Sequence, residues 1–204
     1  MTQEELKATE FPLGEYTKVD IRKIAEKNEF INANKPDSQD ICFVPDGDYA
    51  GAIKRFTGKE YEPGDFVDAK GNTLGRHKGI IAYTIGQRKG LGISAESPLY
   101  VKEIDTKTNS VVLAYDEDLY ETECIVKDIN WTAPWLIDEE MRLAVKIRYR
   151  QKEQAATLKM IDSSKGRIIF DEQQRAITPG QSAVFYSGDV VLGGGIIEVA
   201  DCCN

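Results

Sequence analysis

The sequence predicts a mainly β protein of the α+β class, with a short helical N-terminal segment, a small mostly-β central domain and a C-terminal antiparallel β-barrel. Apolar residues recur at helical spacing before residue 58, whereas short alternating or apolar runs follow it. Six such runs, separated by Gly, Pro, Asp and Ser turns, come after the acidic stretch 116–118, and this spacing is typical of a closed or nearly closed barrel. We expect the domains to span 1–45, 46–117 and 118–204.

Two helices are predicted in the N-terminal segment. Residues 17–20 have the form of a capping box, and apolar residues continue at helical spacing, so the first helix covers about 18–27. The second helix is expected to follow a cap at Asp46 or Asp48 and to end at Gly58.

The strands are predicted from short runs of β-branched, aromatic and aliphatic residues. In the central domain these runs are 66–67, 80–83, 99–104 and 111–114. In the barrel they are 124–129, 141–149, 155–161, 167–170, 182–186 and 190–199.

Composition and charge limit the function classes. The 204 residues carry a formal net charge of −8 and contain no apolar run long enough for a membrane helix, so we expect a soluble, cytoplasmic protein with no membrane partner. The four cysteines form no C-x-x-C pair, which argues for reduced thiols and against a structural metal site. Binding to nucleic acid would require a local basic patch, because the overall charge is acidic.

One predicted strand offers such a patch. Its apolar positions Leu143, Val145, Ile147 and Tyr149 alternate with Arg142, Ala144, Lys146, Arg148 and Arg150. Same-face side chains lie roughly 7 Å apart, comparable with successive phosphates, and a tyrosine ring at the edge is suited to stacking. Two interpretations remain open: an RNA-binding stripe, or a solvated face whose cations discourage edge pairing.

A second basic stretch lies in the central domain. The glycine-rich segment 86–92 includes Arg88 and Lys89, which we interpret either as phosphate contacts or as an ordinary exposed turn. It lacks the third glycine of a dinucleotide fingerprint, and no Walker A loop occurs in the sequence, so nucleotide binding is not expected in this chain. The single histidine, His77, is expected in an exposed loop nearby.

Three further features are candidates for a site. Cys42 follows a polar turn at the edge of the apolar run 41–44, where it is either a buried core residue or a reactive thiol. Residues 178–181 read as a tight turn that exposes Gln181. The three glycines 193–195 indicate a bulge or close backbone packing.

Seven segments in this order closely resemble the bacterial tRNA-specific 2-thiouridylase family across nearly the whole chain. They are 11–14 (FPLG), 37–43 (DSQDICF), 83–92 (YTIGQRKGLG), 146–151 (KIRYRQ), 170–172 (FDE), 178–181 (TPGQ) and 192–197 (LGGGII).

The resemblance implies a sulfurtransferase. That family uses ATP to adenylate O2 of the wobble uridine of certain tRNAs and replaces the oxygen with sulfur from a cysteine persulfide. Cys42 matches the persulfide-carrying cysteine, which in the family can form a disulfide with a second cysteine of the N-terminal domain. Arg148, Tyr149 and Gln181 match positions that contact tRNA, and we add Lys146, Arg150, Arg88 and Lys89 as possible phosphate contacts.

The chain departs from the family in one respect, because the Ser-Gly-Gly-x-Asp-Ser loop of the ATP-pyrophosphatase domain does not occur in it. We therefore expect a fragment that binds no cofactor itself and is inactive alone, with ATP bound by the N-terminal catalytic domain. The expected partners are tRNA through its anticodon region, a cysteine desulfurase or sulfur-relay protein, and that catalytic domain. A non-catalytic tRNA-docking module and a protein-interaction barrel remain the alternatives.

Overall fold

The structure, a computed structural model, describes residues 1–36, 44, 47–133, 138–149 and 151–198. It separates into a helical unit, Thr2–Gly58, and a β unit that begins at Lys59. The second unit contains a four-stranded sheet and a closed barrel, so the predicted α+β class is confirmed. No helix in the described part of the chain is long and apolar enough to cross a membrane.

The helical unit contains α1 (Gln3–Ala8), α2 (Lys18–Lys27) and α3 (Tyr49–Thr57). Helix α2 begins at the predicted Thr17 capping box, and α3 ends at Gly58, whose φ of 64° is left-handed. Asp48 caps α3, because its side chain accepts a hydrogen bond from the Gly51 N–H at 2.8 Å. Both predicted helices are confirmed.

Helix α1 was not predicted, although its sequence contains the signal. Thr2 and Glu5 form a capping box in which each side chain accepts from the other's backbone N–H. With six residues and none buried, the helix lacks the apolar periodicity on which the other two predictions rested.

The sheet of the β unit contains β1 (Gly64–Val67), β2 (Thr73–His77), β3 (Tyr100–Asp105) and β4 (Ser110–Ala114), in the order β2-β1-β4-β3. The β1 and β4 strands are parallel, and the other pairs are antiparallel. One face covers a core formed mainly by Phe66, Tyr83, Val101, Val111 and Leu113.

One prediction for this sheet was wrong, and one of its strands was not predicted. Residues 80–83 are not a strand, because a 3-10 turn (Ile80–Ala82) follows Gly79, whose φ of 112° turns the chain out of the extended direction. The β2 strand was missed, since it lies at the sheet edge and only its last residue is buried, which leaves no alternating apolar pattern.

The barrel follows a second 3-10 turn, Asp116–Leu119, and all six of its predicted strands are present. They are β5 (Tyr120–Trp131), β6 (Glu140–Lys146), β7 (Gln154–Met160), β8 (Gly166–Arg175), β9 (Ser182–Ser187) and β10 (Val190–Glu198). The strands close in the order β10-β5-β8-β7-β6-β9 with antiparallel neighbours throughout. Alternate residues point inward and fill a core that includes Val126, Val145, Leu158, Ile168 and Phe185, all at 0% exposure.

The glycine run in β10 marks close backbone packing, as predicted. A Cβ at Gly193 would lie 2.5 Å from the carbonyl oxygen of Asn130, and one at Gly195 would lie 2.7 Å from that of Lys127. The pairing of β10 shifts register on both sides of the run. Small residues are therefore required where this strand bends to close the barrel.

Candidate nucleic-acid interface

Strand β6 carries the residues predicted to form a basic face. Its alternation is confirmed, since Leu143 and Val145 are buried while Arg142 and Lys146 face outward. The strand ends at Lys146, however, so Arg148 lies beyond it.

The outer face of β6 is less basic than predicted, because neighbouring strands and loops supply acids. Arg142 donates two hydrogen bonds to the Asp171 carboxylate at 2.8 and 2.7 Å. The Lys146 ammonium lies 2.7 Å from a Glu153 carboxylate oxygen. Hydrogen bonding within this second pair raises the pKa of Lys146 and lowers the pKa of Glu153. The prediction of a continuous basic stripe was therefore wrong, because it considered only the residues of this one strand.

The idea that these cations discourage edge pairing is also excluded. Strand β6 pairs with β7 over residues 140–145 and with β9 over residues 144–146, so it lies between two strands of the closed barrel and is not an edge strand.

Tyr149 does not follow the strand alternation that placed it with Val145 and Ile147. Ile147 is buried at 2%, but a turn follows, closed by a hydrogen bond from the Gln151 N–H to the Arg148 carbonyl at 3.2 Å. Tyr149 lies in this turn and is 97% exposed. A fully exposed tyrosine has an apolar ring available for a partner to cover.

Arg148 is held in place by the barrel. Its Nη2 donates to the Ala176 carbonyl at 2.7 Å, and that oxygen also accepts from the Thr178 hydroxyl at 2.9 Å. Ala176 is buried, has a φ of 53° and donates its own N–H to the Leu119 carbonyl at 2.7 Å. The anchor is thus fixed before any ligand arrives, while the Arg148 residue as a whole is exposed.

The sheet and the barrel meet beside this anchor. Arg175, next to Ala176, donates two hydrogen bonds to one oxygen of Asp116 at 2.9 and 2.8 Å, and its guanidinium lies 5.0 Å from the Tyr100 ring centroid. A Cβ at Gly86 would lie 3.2 Å from the Ala176 Cβ, so the glycine-rich segment of the sheet packs against the same residue.

Gln181 is presented by the predicted tight turn, which is confirmed. The Gln181 N–H donates to the Thr178 carbonyl at 3.2 Å, and Gly180 has the left-handed φ of 84° that a type II turn needs at its third residue. The Gln181 residue is exposed.

A cavity of about 780 Å³ on the barrel surface brings four of the predicted site residues together. Its lining includes Lys146, Arg148, Tyr149, Gln181, Ser182 and Tyr186. Sequence reasoning missed Tyr186, whose ring centroid lies 5.3 Å from the Lys146 Nζ. The alternation of β9, with Ala183 and Phe185 buried, would have placed this tyrosine on the outer face.

The other predicted site residues are not in this cavity. Arg88 lines a separate cavity of about 480 Å³ formed by the loop 88–99, and Lys89 is exposed beside it. Cys42 and Arg150 lie outside the described residues.

His77 is a buried structural residue, contrary to the predicted exposed loop. It is 2% exposed at the end of β2, where its Nδ1 accepts from the N–H groups of Gly64 and Gly79 at 3.3 and 3.0 Å. Its Nε2 lies 3.1 Å from the Asn109 carbonyl oxygen, to which it donates. The ring stabilises the sheet and has no free nitrogen for catalysis.

The described part of the chain contains one cysteine, Cys124, in the barrel core at 5% exposure. Burial raises the pKa of its thiol to about 12, and Glu121 and Glu123 add to the effect. Such a thiol stays protonated and is a poor sulfur acceptor. No group of three or more potential metal ligands occurs among the residues that the structure describes.

Models of known families match three parts of the chain. Residues 121–197 match an aminomethyltransferase beta-barrel domain, residues 51–115 a tRNA methyl transferase PRC-barrel domain, and residues 1–46 a tRNA methyl transferase HUP domain. The three matches follow one another along the chain and together cover most of it, and two of the three descriptions name tRNA methyl transferases.

Individual relatives specify the class further. The tRNA-specific 2-thiouridylases MnmA of Clostridioides difficile and Acetivibrio thermocellus are each 50% identical over 97% of this chain and 55% of their own length. MnmA 1 of Caldanaerobacter subterraneus subsp. tengcongensis is 52% identical over 97% of this chain and 54% of its own length. The chain belongs to the tRNA-specific 2-thiouridylase family, as its resemblance predicted, and spans about half the length of the curated relatives it matches.

Proposed function

We propose that this chain is the sulfur-carrying and tRNA-docking part of a tRNA 2-thiouridylase, which transfers persulfide sulfur to C2 of a wobble uridine. The observation that carries the proposal is the shared cavity, in which Arg148, Tyr149 and Gln181 meet although 32 positions separate Tyr149 from Gln181 in the sequence. These are the three residues that the family resemblance assigns to tRNA contact.

In this proposal Cys42 carries the sulfur. A cysteine desulfurase or sulfur-relay protein places a sulfur atom on its thiol, and the outer sulfur of the persulfide then attacks C2 of the activated uridine while the bond from C2 to the oxygen breaks. A second cysteine, contributed by the N-terminal catalytic domain, attacks the Cys42 sulfur. The two cysteines are oxidised to a disulfide, and the transferred sulfur keeps the electron pair of the broken sulfur–sulfur bond.

Activation of the uridine belongs to the adenylating domain in this proposal. ATP supplies an AMP group that leaves with the uridine oxygen, and we assign ATP binding outside these 204 residues because the sequence contains neither a Walker A loop nor the pyrophosphatase loop. By itself the chain would accept sulfur and bind tRNA without completing the reaction.

The alternative is a protein-interaction barrel in which the outer face of β6 does not bind RNA. The ion pairs of Arg142 with Asp171 and of Lys146 with Glu153 are typical of an ordinary solvated face. The two functions differ in their response to the loss of Arg148, which the barrel holds at the cavity.

Replacing Arg148 with alanine is expected to weaken binding of tRNA to the chain by about tenfold, the lower end of what a charge-assisted hydrogen bond contributes. The dependence of log affinity on log salt should become shallower by about 0.7 to 1. Both quantities are measured by filter binding of labelled tRNA between low and moderate salt concentrations.

The matched control is Arg142→Ala. This arginine also lies on the outer face of β6, but its guanidinium donates two hydrogen bonds to the Asp171 carboxylate. It is not among the residues that line the cavity. We expect it to change tRNA affinity much less than Arg148→Ala. Equal affinities for Arg148→Ala and the unaltered chain would favour the protein-interaction barrel.

A further inference from the structure

Lys146 makes two contacts that the proposed docking role does not explain. Its ammonium lies 2.7 Å from a Glu153 carboxylate oxygen and 5.3 Å from the centroid of the Tyr186 ring. The contact with Tyr186 lies in the cavity, because Lys146 and Tyr186 both line it, whereas Glu153 holds Lys146 from outside the lining. One cation therefore satisfies a carboxylate and covers an aromatic surface at the same time.

The strand pairing gives the Tyr186 ring room on the barrel surface. Tyr186 lies directly opposite Ala144 in the β6–β9 ladder, and Val184 lies opposite Lys146. Because the Ala144 side chain is small, it does not fill the space beside the Tyr186 ring. The side chain of Lys146, the diagonal neighbour of Tyr186 in this ladder, occupies that space. If the ammonium moved away, the face of the Tyr186 ring that it covers would be open to the cavity, which Arg148 and Gln181 also line.

A nucleotide can replace both contacts of the lysine. Its phosphate is an anion that can take the place of the Glu153 carboxylate, and its base is a flat π-system that can stack on the tyrosine. A simple anion could replace only the carboxylate, and an apolar side chain could replace only the ring contact.

We propose that the cavity binds one unpaired nucleotide of the RNA. Its base stacks on Tyr186, and its phosphate replaces the Glu153 carboxylate as the ion-pair partner of Lys146. This inference rests on the proposed function, since it requires that the chain binds RNA. It adds Tyr186 and Glu153 to the site and specifies single-stranded RNA as the ligand of this cavity.

The size of the cavity and the exposure of its rim favour an unpaired nucleotide over a duplex. At about 780 Å³ the cavity is within the range of roughly 300–1,000 Å³ typical of small-ligand sites. Bases in an RNA duplex are stacked on each other and cannot present a face to Tyr186, whereas loop bases can. Tyr149, 97% exposed at the rim, offers a second ring to a splayed base or its neighbour.

Glu153 makes the site selective in this scheme. It repels any phosphate that approaches Lys146, so the ion pair is given up only to a ligand that also gains the stacking contact. Removing the charge of Glu153 should therefore increase the affinity for duplex RNA as well as for single-stranded RNA. The ratio of the two affinities should become smaller.

The test measures binding of the full 204-residue chain to a fluorescent oligouridylate and to an RNA duplex with the same number of phosphates. Tyr186→Leu is expected to weaken oligouridylate binding by at least about fivefold, the smaller end of the effect of one stacked base, and to leave duplex binding unchanged. Tyr186→Phe keeps the ring and should bind as the unaltered chain does. Glu153→Gln should tighten duplex binding and reduce the preference for the single strand.

Tyr120→Leu is the matched control, because Tyr120 is a partly exposed barrel tyrosine outside the cavity. Oligouridylate affinity that is unchanged in Tyr186→Leu but reduced in Arg148→Ala would overturn the nucleotide cavity and leave the docking function intact. Equal losses for single-stranded and duplex RNA in Tyr186→Leu would also overturn it, since they would indicate a structural effect. If Arg148→Ala has no effect on either RNA, the docking function itself fails.

Discussion

Replacing Cys42 with serine in a complete 2-thiouridylase that includes this sequence is expected to abolish 2-thiouridine formation, with a loss of at least about a thousandfold. A serine hydroxyl cannot form a persulfide, so no sulfur reaches the activated uridine. Affinity for tRNA should be unchanged, because the docking residues lie on the barrel. The measurement is mass spectrometry of nucleosides from tRNA after incubation with ATP, a cysteine desulfurase and cysteine.

Cys124→Ala provides the control for this experiment. Its thiol is buried and has a pKa of about 12, so it should contribute nothing to the transfer. The variant should retain most of its activity, apart from any loss of stability. Normal thiolation by the serine variant at Cys42 would contradict the assignment of the sulfur carrier.

Replacing Phe185 with alanine is expected to lower the free energy of unfolding of the barrel by about 3–5 kcal/mol. The ring is fully buried and packs against Trp131, with 5.7 Å between the ring centroids. Because Phe185 lies between the cavity residues Val184 and Tyr186 on β9, loss of its packing should also weaken tRNA binding. Urea unfolding followed by tryptophan fluorescence and circular dichroism measures the change.

Tyr149→Ala is the matched aromatic control for stability. Its side chain is 97% exposed, so its removal should change the free energy of unfolding by less than about 0.5 kcal/mol. A small effect for Phe185→Ala, similar to that of Tyr149→Ala, would contradict the described barrel core.

Features fixed by neighbouring residues in the sequence could be predicted. The caps at Thr17 and Asp48 and the glycine at position 58 set the helix ends through hydrogen bonds and backbone geometry within one turn. The same holds for the turn at 178–181, where Pro179 and Gly180 select the turn type. The six barrel strands could also be predicted, because in a closed barrel with a filled interior every strand alternates between buried and exposed residues.

Features set by distant residues could not be predicted in this way. The basic face of β6 loses most of its positive character to Asp171 and Glu153, and nothing within the strand indicates which acids the fold brings beside it. The anchor of Arg148 is a backbone carbonyl 28 positions away, which no side-chain pattern reveals. His77 was misjudged for the same reason, since its three backbone partners come together only when the sheet has formed.

The most direct test of the central claim is to map the sulfur on the chain itself. Incubation with a cysteine desulfurase and ³⁵S-labelled cysteine, followed by trapping and peptide mass spectrometry, reports which thiol carries a persulfide. The account predicts label on Cys42 and none on the buried Cys124. Label confined to Cys202 or Cys203, or absent from every cysteine of a folded chain, would contradict it.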